Sequence, residues 1–156
     1  MKILIASDHA GFALKNQLVQ FLQTHHHIVD FGPQTEDRVD YPDFADRALF
    51  EYQKLIKDYQ VTEDTVKLCQ TYCILICGSG QGMAMRANKY IHIRAALSWS
   101  EETAQLSREH NNANVLCLGA RFLNFQEALS LILKFQESAF TLGRHSDRVK
   151  KISRLT

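Results

Sequence analysis

The chain has 156 residues, 46% hydrophobic and 22% charged, with 18 Lys and Arg against 17 Asp and Glu and a formal net charge of +1. That length fits a single domain over residues 1–156 with a sizeable buried core. Near neutrality excludes a global field for nucleic acid or an anionic membrane, so any charge must act locally. No apolar run approaches the roughly 20 residues of a membrane helix. The run from Met1 to Ala6 turns polar at Ser7-Asp8-His9, too early for a signal-peptide core. The cysteines Cys69, Cys73, Cys77 and Cys117 form no C-x-x-C pair. Free thiols in a reducing cytoplasm are the expectation.

Taken in chain order, continuous apolar runs predict five strands, over 2–6, 28–31, 73–77, 94–97 and 115–118. Runs without alternation are the mark of strands buried on both faces. Helical spacing of Leu14, Leu18, Phe21 and Leu22 predicts a helix over about 12–24. Asp43, after Pro42, is placed to cap a second helix through Ala45, Leu49 and Tyr52. Ser98-Trp99-Ser100-Glu101 offers either a capping box or a Ser100 cap for a helix to about His110. Asn124 to Glu127 is a similar start for a helix through Phe135. A last helix runs from about His145, with Val149, Ile152 and Leu155 on one face. The polar stretch 54–72 reads as a helix extension followed by a surface excursion. Strand–helix alternation of this kind predicts an α/β fold, a parallel sheet with helices on both sides. In such sheets ligands bind beyond the carboxyl ends of the strands.

The strongest local signal there is Cys77-Gly78-Ser79-Gly80-Gln81-Gly82, where a buried strand ends at a thiol and a glycine-rich turn leads towards a helix. Glycines let several N–H groups converge on an anion, and a thiol beside such amides has its thiolate favoured. The alternative is a small buried residue followed by a tight turn. A dinucleotide fingerprint fails, because the pattern is G-x-G-x-G after the third strand. A cysteine-phosphatase loop fails too, since Met83 stands where its arginine is needed. Asp8-His9 can bind hydroxyls or move protons, or else supply an N-cap and a surface histidine. His110-Asn111 lies at a helix end, where catalysis and simple helix termination are both open. Arg144, Arg148 and Lys151 share a helix face, which can fork onto a phosphate or remain a solvated basic face. His25-His26-His27 reads as a solvated turn at the opposite sheet edge rather than a metal tract. Cys69, Cys73 and Cys117 read as packing residues.

Together these segments resemble the ribose-5-phosphate isomerase B family, which also includes allose- and galactose-6-phosphate isomerases. The resemblance rests on Ser7-Asp8-His9-Ala10-Gly11-Phe12, Asp40-Tyr41-Pro42, the loop Cys77–Gly82, Ala87-Asn88-Lys89, Ile93-Arg94-Ala95, Ser107-Arg108-Glu109-His110-Asn111, Gly119-Ala120-Arg121 and Gly143-Arg144-His145. It implies a Rossmann-like three-layer α/β/α sandwich with a five-stranded parallel sheet. It also implies a homodimer or homotetramer with active sites shared between subunits, a sugar phosphate as substrate, and no metal or cofactor. Carried over by motif, Cys77 is the base that moves a proton between C1 and C2. The amides from Gly78 through Gly80 to Gly82, with Ser79, hold the enediolate oxygen. His110 assists ring opening, Asp8 binds hydroxyls, and Tyr41 and Asn111 contact the sugar. Arg144 and Arg148, with His9 and Arg121, hold the phosphate.

One branch of the family replaces the cysteine with a glutamate just after the last loop glycine. Met83 stands there and Cys77 is present, so the chain resembles the cysteine branch. Ser79 replaces the Thr common in that branch, Met83-Ala84-Met85-Arg86 is bulkier than usual, and 54–72 is longer. The implied activity is interconversion of ribose 5-phosphate and ribulose 5-phosphate. A six-carbon sugar phosphate substrate, or a non-catalytic phospho-ligand binding module on the same fold, are the alternatives.

Overall fold

A computed structural model of the chain describes residues 1–56 and 71–152. Five parallel strands form one sheet: β1 (Lys2–Ser7), β2 (His27–Asp30), β3 (Thr71–Cys77), β4 (Ala95–Leu97) and β5 (Val115–Gly119), in the order β2-β1-β3-β5-β4. The helices are α1 (Phe12–Leu22), α2 (Tyr41–Ile56), α3 (Gln81–Ala87), α4 (Glu101–Asn111), α5 (Phe125–Glu137) and α6 (Arg144–Ile152). This is the expected three-layer sandwich. Alternate residues of the central strands face opposite layers, because side chains change sides at every residue of a strand. Ile3, Ile5, Ile74, Ile76, Leu116 and Leu118 pack with α1, α4 and α5. Leu4, Ala6, Cys73, Leu75, Cys77, Val115 and Cys117 pack with α2 and α3. The central strands are therefore apolar at consecutive positions, as the sequence showed.

Several boundaries differ from expectation for local reasons. A 3₁₀ turn over His9–Gly11 precedes α1, with Asp8 as its cap, accepting from Gly11 N at 3.0 Å. α2 starts at Tyr41, so Asp43 lies in its first turn rather than at the cap. There its carboxylate still complements the helix dipole. For α4 the cap is Ser100, reciprocated by Thr103, and not a Ser98–Glu101 box. Asn124 and Glu127 do form a capping box at α5. The Gly78–Gly82 turn leads into α3, a helix of only seven residues, too short for its periodicity to stand out. Of the 54–72 stretch, α2 takes residues up to Ile56 and β3 begins at Thr71. The remainder, with Cys69, and also Leu155, lie outside the described residues.

Lys15 is fully buried, and its ammonium meets Asp30 Oδ2 at 2.6 Å and Asn16 Oδ1 at 3.0 Å. The other Asp30 oxygen accepts from Gly32 N at 2.8 Å, and Gly32 O accepts from Ser7 N at 2.9 Å. The pair thus ties the loop after β2 to the end of β1, where Asp8 follows. Removing one member of a buried pair strands the other charge. Asp30→Ala, which leaves the inaccessible ammonium without its carboxylate, is expected to lose about 3–5 kcal/mol in denaturant unfolding. Lys15→Met fills the same space and leaves Asp30 its Gly32 N–H and partial solvent contact, so its loss is expected to be clearly smaller.

Candidate active site

The order β2-β1-β3 reverses direction at β1, which opens a crevice between the carboxyl ends of β1 and β3. Parallel register places Ser7 beside Ile76, and Asp8 N donates to Ile76 O at 3.1 Å. Asp8, just after β1, and Cys77, at the end of β3, therefore lie side by side at the same mouth. Cys77 is the last residue of β3 and buried at 4% exposure. Gly80 N donates to its Sγ at 3.1 Å. That amide can point back because Gly80 has φ +76°, a left-handed conformation that glycine adopts without strain. A side chain there would also strike Leu97 and the Leu118 carbonyl, at 2.5 Å and 3.0 Å from its Cβ. The other described cysteines sit differently. Cys73 and Cys117 are wholly buried in the sheet, and burial pushes both thiols up.

The walls of the mouth come from neighbouring connections. Ala120 N donates to Cys77 O at 2.9 Å and Arg121 N to Gly78 O at 3.0 Å. Arg121 lays its guanidinium against Gly78, where an added Cβ would lie 3.1 Å from Arg121 Cζ. The Tyr41 ring covers Gly82, where an added Cβ would lie 2.6 Å from Tyr41 Cζ. A bidentate pair between Arg86 and Asp46, at 2.6 Å and 2.8 Å, clamps α3 to α2 and so holds these two residues together. His9 Nδ1 sits 3.2 Å from Val39 O, in the segment leading to α2. Ser79 Oγ lies 3.4 Å from Gln81 N. Asp8, His9, Tyr41, Cys77, Gly78, Ser79, Gly80, Gly82 and Arg121 thus gather at one sheet edge.

The other expected residues do not join them within one chain. α4 runs from the carboxyl end of β4 back to the start of β5, so His110 and Asn111 lie at the amino edge. The residues just beyond fix this placement. Asn114 N donates to Arg94 O at 3.0 Å, before β4, and Cys73 N donates to Asn114 O at 3.4 Å, near the start of β3. Arg144 and Arg148 are with His110, because Thr141 N donates to Glu109 O at 2.9 Å and α6 packs on α4. Both arginines are solvent-exposed. The two groups are separated by about the length of α4, roughly 16 Å at 1.5 Å per residue. His145 belongs with the second group and was given no role from the sequence. It is buried and stacks on His110 with ring centroids 4.2 Å apart. Its spacing was legible: His145, Val149 and Ile152 continue one helical stripe, and His145 and Val149 are the buried residues of α6.

A family model described as Ribose/Galactose Isomerase matches residues 3–152. The chain belongs to that family. Among its relatives, a protein of Mycoplasma genitalium described as a probable ribose-5-phosphate isomerase B is 43% identical over 154 residues, covering 97% of this chain and 93% of the relative. A crystal structure of ribose-5-phosphate isomerase B from the same organism, with bound ribulose-5-phosphate, superposes with a TM-score of 0.85 at 40% identity, covering 97% of this chain and 93% of that one. The ribose-5-phosphate isomerase B of Clostridium thermocellum gives a TM-score of 0.84 at 38% identity, covering 98% and 95%. The described residues share the fold of these isomerase structures.

Proposed function

We propose that this chain is a cytoplasmic aldose–ketose isomerase that interconverts ribose 5-phosphate and ribulose 5-phosphate, with Cys77 as the base. The observation that carries this reading is the Cys77 sulfur held by the Gly80 amide at the crevice mouth beside Asp8. The similarity to ribose-5-phosphate isomerases B over nearly the whole chain supports the substrate. In the open-chain aldose the Cys77 thiolate takes the C2 proton, and the electron pair moves to form the enediolate. The thiol, whose proton exchanges with solvent, then protonates C1 while the O2 hydroxyl proton passes to O1, giving the ketose. Amides of the Gly78–Gly82 turn and Ser79 hold the developing negative charge, a contribution that is usually the largest in such sites. Asp8, Tyr41 and Asn111 bind the sugar, and His110 moves a proton during ring opening. Arg144 and Arg148, with His9 and Arg121, hold the phosphate.

This assignment needs both groups of residues around one substrate. A sugar phosphate is far shorter than the gap between the two sheet edges, so one chain supplies the Cys77 edge and a second copy supplies His110, Asn111, Arg144 and Arg148. A homodimer with two such sites is the smallest assembly that satisfies this. The purified protein is expected to convert ribose 5-phosphate in deuterated water with solvent label at C1 of the ketose. Turnover of allose 6-phosphate in preference to ribose 5-phosphate would move the assignment to six-carbon substrates. Tight sugar-phosphate binding without turnover would reduce the protein to a binding module.

The contact of Tyr41 with Gly82 gives a separate expectation. Alanine at a helical glycine normally gains roughly 0.5–1 kcal/mol, and the half-exposed Tyr41 ring can swing away from the new methyl group. Gly82→Ala is therefore expected to leave the unfolding midpoint nearly unchanged while raising KM for ribose 5-phosphate several-fold. In a Tyr41→Ala background the same substitution should change KM little. An equal KM effect in both backgrounds would show that the methyl group acts on substrate directly and not through Tyr41.

A further inference from the structure

His145 is a buried imidazole in the first turn of α6, at 8% exposure. Its ring is parallel to that of His110, with 5° between the planes and 4.2 Å between centroids. Arg144 Nε lies 3.4 Å from His145 Nε2 and donates to it. An Nε2 that accepts a hydrogen bond belongs to a neutral imidazole with its proton on Nδ1. Burial lowers the His145 pKa, and the positive charges of His110, Arg144 and Arg148 act in the same direction. A second cation in this place would repel the first and both guanidinium groups. A neutral aromatic face instead attracts a cation stacked on it.

We infer that His145 is a positioning residue for His110, a neutral aromatic shelf that fixes the His110 ring and accommodates the positive charge it takes up in ring opening. This rests on the assignment of ring opening to His110. In that step the anomeric O1 loses its proton as the C1–O4 bond breaks, and O4 gains one. His110 carries a proton between the two oxygens, so for part of the step it is an imidazolium against the His145 face. Without the shelf, His110 ends a helix with nothing stacked on this face to set its ring angle. Misplacement of a proton-transfer group by about 1 Å can cost roughly 100-fold.

The test compares two reactions on each preparation. Turnover of ribose 5-phosphate requires ring opening, whereas solvent tritium exchange into C1 of ribulose 5-phosphate starts from an acyclic ketose and does not. His145→Ala is expected to slow ribose 5-phosphate turnover by about 10- to 100-fold and to leave exchange nearly unchanged. His145→Phe, which keeps a neutral ring, is expected to restore most of the turnover. Equal losses in both reactions for His145→Ala would reduce the residue to a structural role and overturn the inference. So would a His145→Phe variant no better than His145→Ala. The underlying assignment is read separately: His110→Ala must itself slow turnover more than exchange. If it does not, the ring-opening role of His110 fails, and the positioning role fails with it.

Discussion

Cys77→Ala is expected to lower turnover of ribose 5-phosphate by about 10²–10⁴-fold, the usual worth of a positioned general base, while inorganic phosphate binds as before. The substitution removes one sulfur from a residue that already packs at 4% exposure between β3 and α3. Gly80 N loses its acceptor, but the turn keeps its backbone bonds, Ala84 N to Gly80 O at 3.1 Å and Arg121 N to Gly78 O at 3.0 Å. The site's shape therefore survives and its chemistry does not. Exchange of solvent tritium into ribulose 5-phosphate should fall in parallel with turnover, since both need proton transfer at carbon. Iodoacetamide should inactivate the wild-type protein, and substrate should protect it. Cys73 and Cys117 are screened from alkylation by complete burial. Near-normal turnover in Cys77→Ala would remove the thiol from the mechanism and leave the loop amides and Asp8 to account for it.

The sequence carried the layers of the fold well and the assembly of the site only in part. Central strands such as β3, from Tyr72 on, and β5 are runs without polar alternation because both faces are covered, and that pattern needs no tertiary information. The Asn124 box at α5 was equally local. At α4 two caps were available, and the choice of Ser100 depended on Thr103 closing the reciprocal bonds. α2 starts two residues before Asp43, and the Tyr41 ring that begins it lies over Gly82, a contact between residues far apart in the chain. Lys15 could not be recognised as a buried ion from its position on α1, because its partner Asp30 comes from another element. His145 fell on the buried stripe of α6, yet its partner His110 is on α4, and a ring stack has no signature in one-dimensional spacing. The family resemblance proposed the residues of both groups, whereas motif spacing alone left their roles open. Only the alternation of parallel strand and antiparallel helix separates them, because α4 carries the chain from one sheet edge to the other between Ser100 and Asn112.

That separation sets the second large effect, which is recovery of activity by mixing two inactive chains. Arg144 and Arg148 lie one turn apart on α6, and two guanidinium groups can fork onto phosphate oxygens in a way that lysine cannot imitate. Each charge-assisted contact is worth about 1.5–3 kcal/mol. Arg148→Ala is therefore expected to weaken binding of inorganic phosphate and of ribose 5-phosphate by about 10- to 100-fold, with little effect on unphosphorylated ribose. The phosphate is remote from the reacting carbons, so at low substrate this variant turns over poorly although Cys77 is intact. Cys77→Ala has the opposite defect, since its arginines are intact and its base is gone. In a two-fold symmetric dimer with shared sites, a mixed pair joins the Cys77 edge of one chain to the Arg148 edge of the other at one site, and both lesions fall at the second site. Free exchange at equal amounts yields half mixed pairs, so about a quarter of all sites are whole. Activity at low substrate should therefore rise towards a quarter of the wild-type value, with exchange verified by native mass spectrometry. Mixed dimers no more active than the parent chains would mean that His110, Arg144 and Arg148 serve no site on a neighbouring chain. The roles given to them could then not stand, because within one chain α4 keeps them a helix length from Cys77.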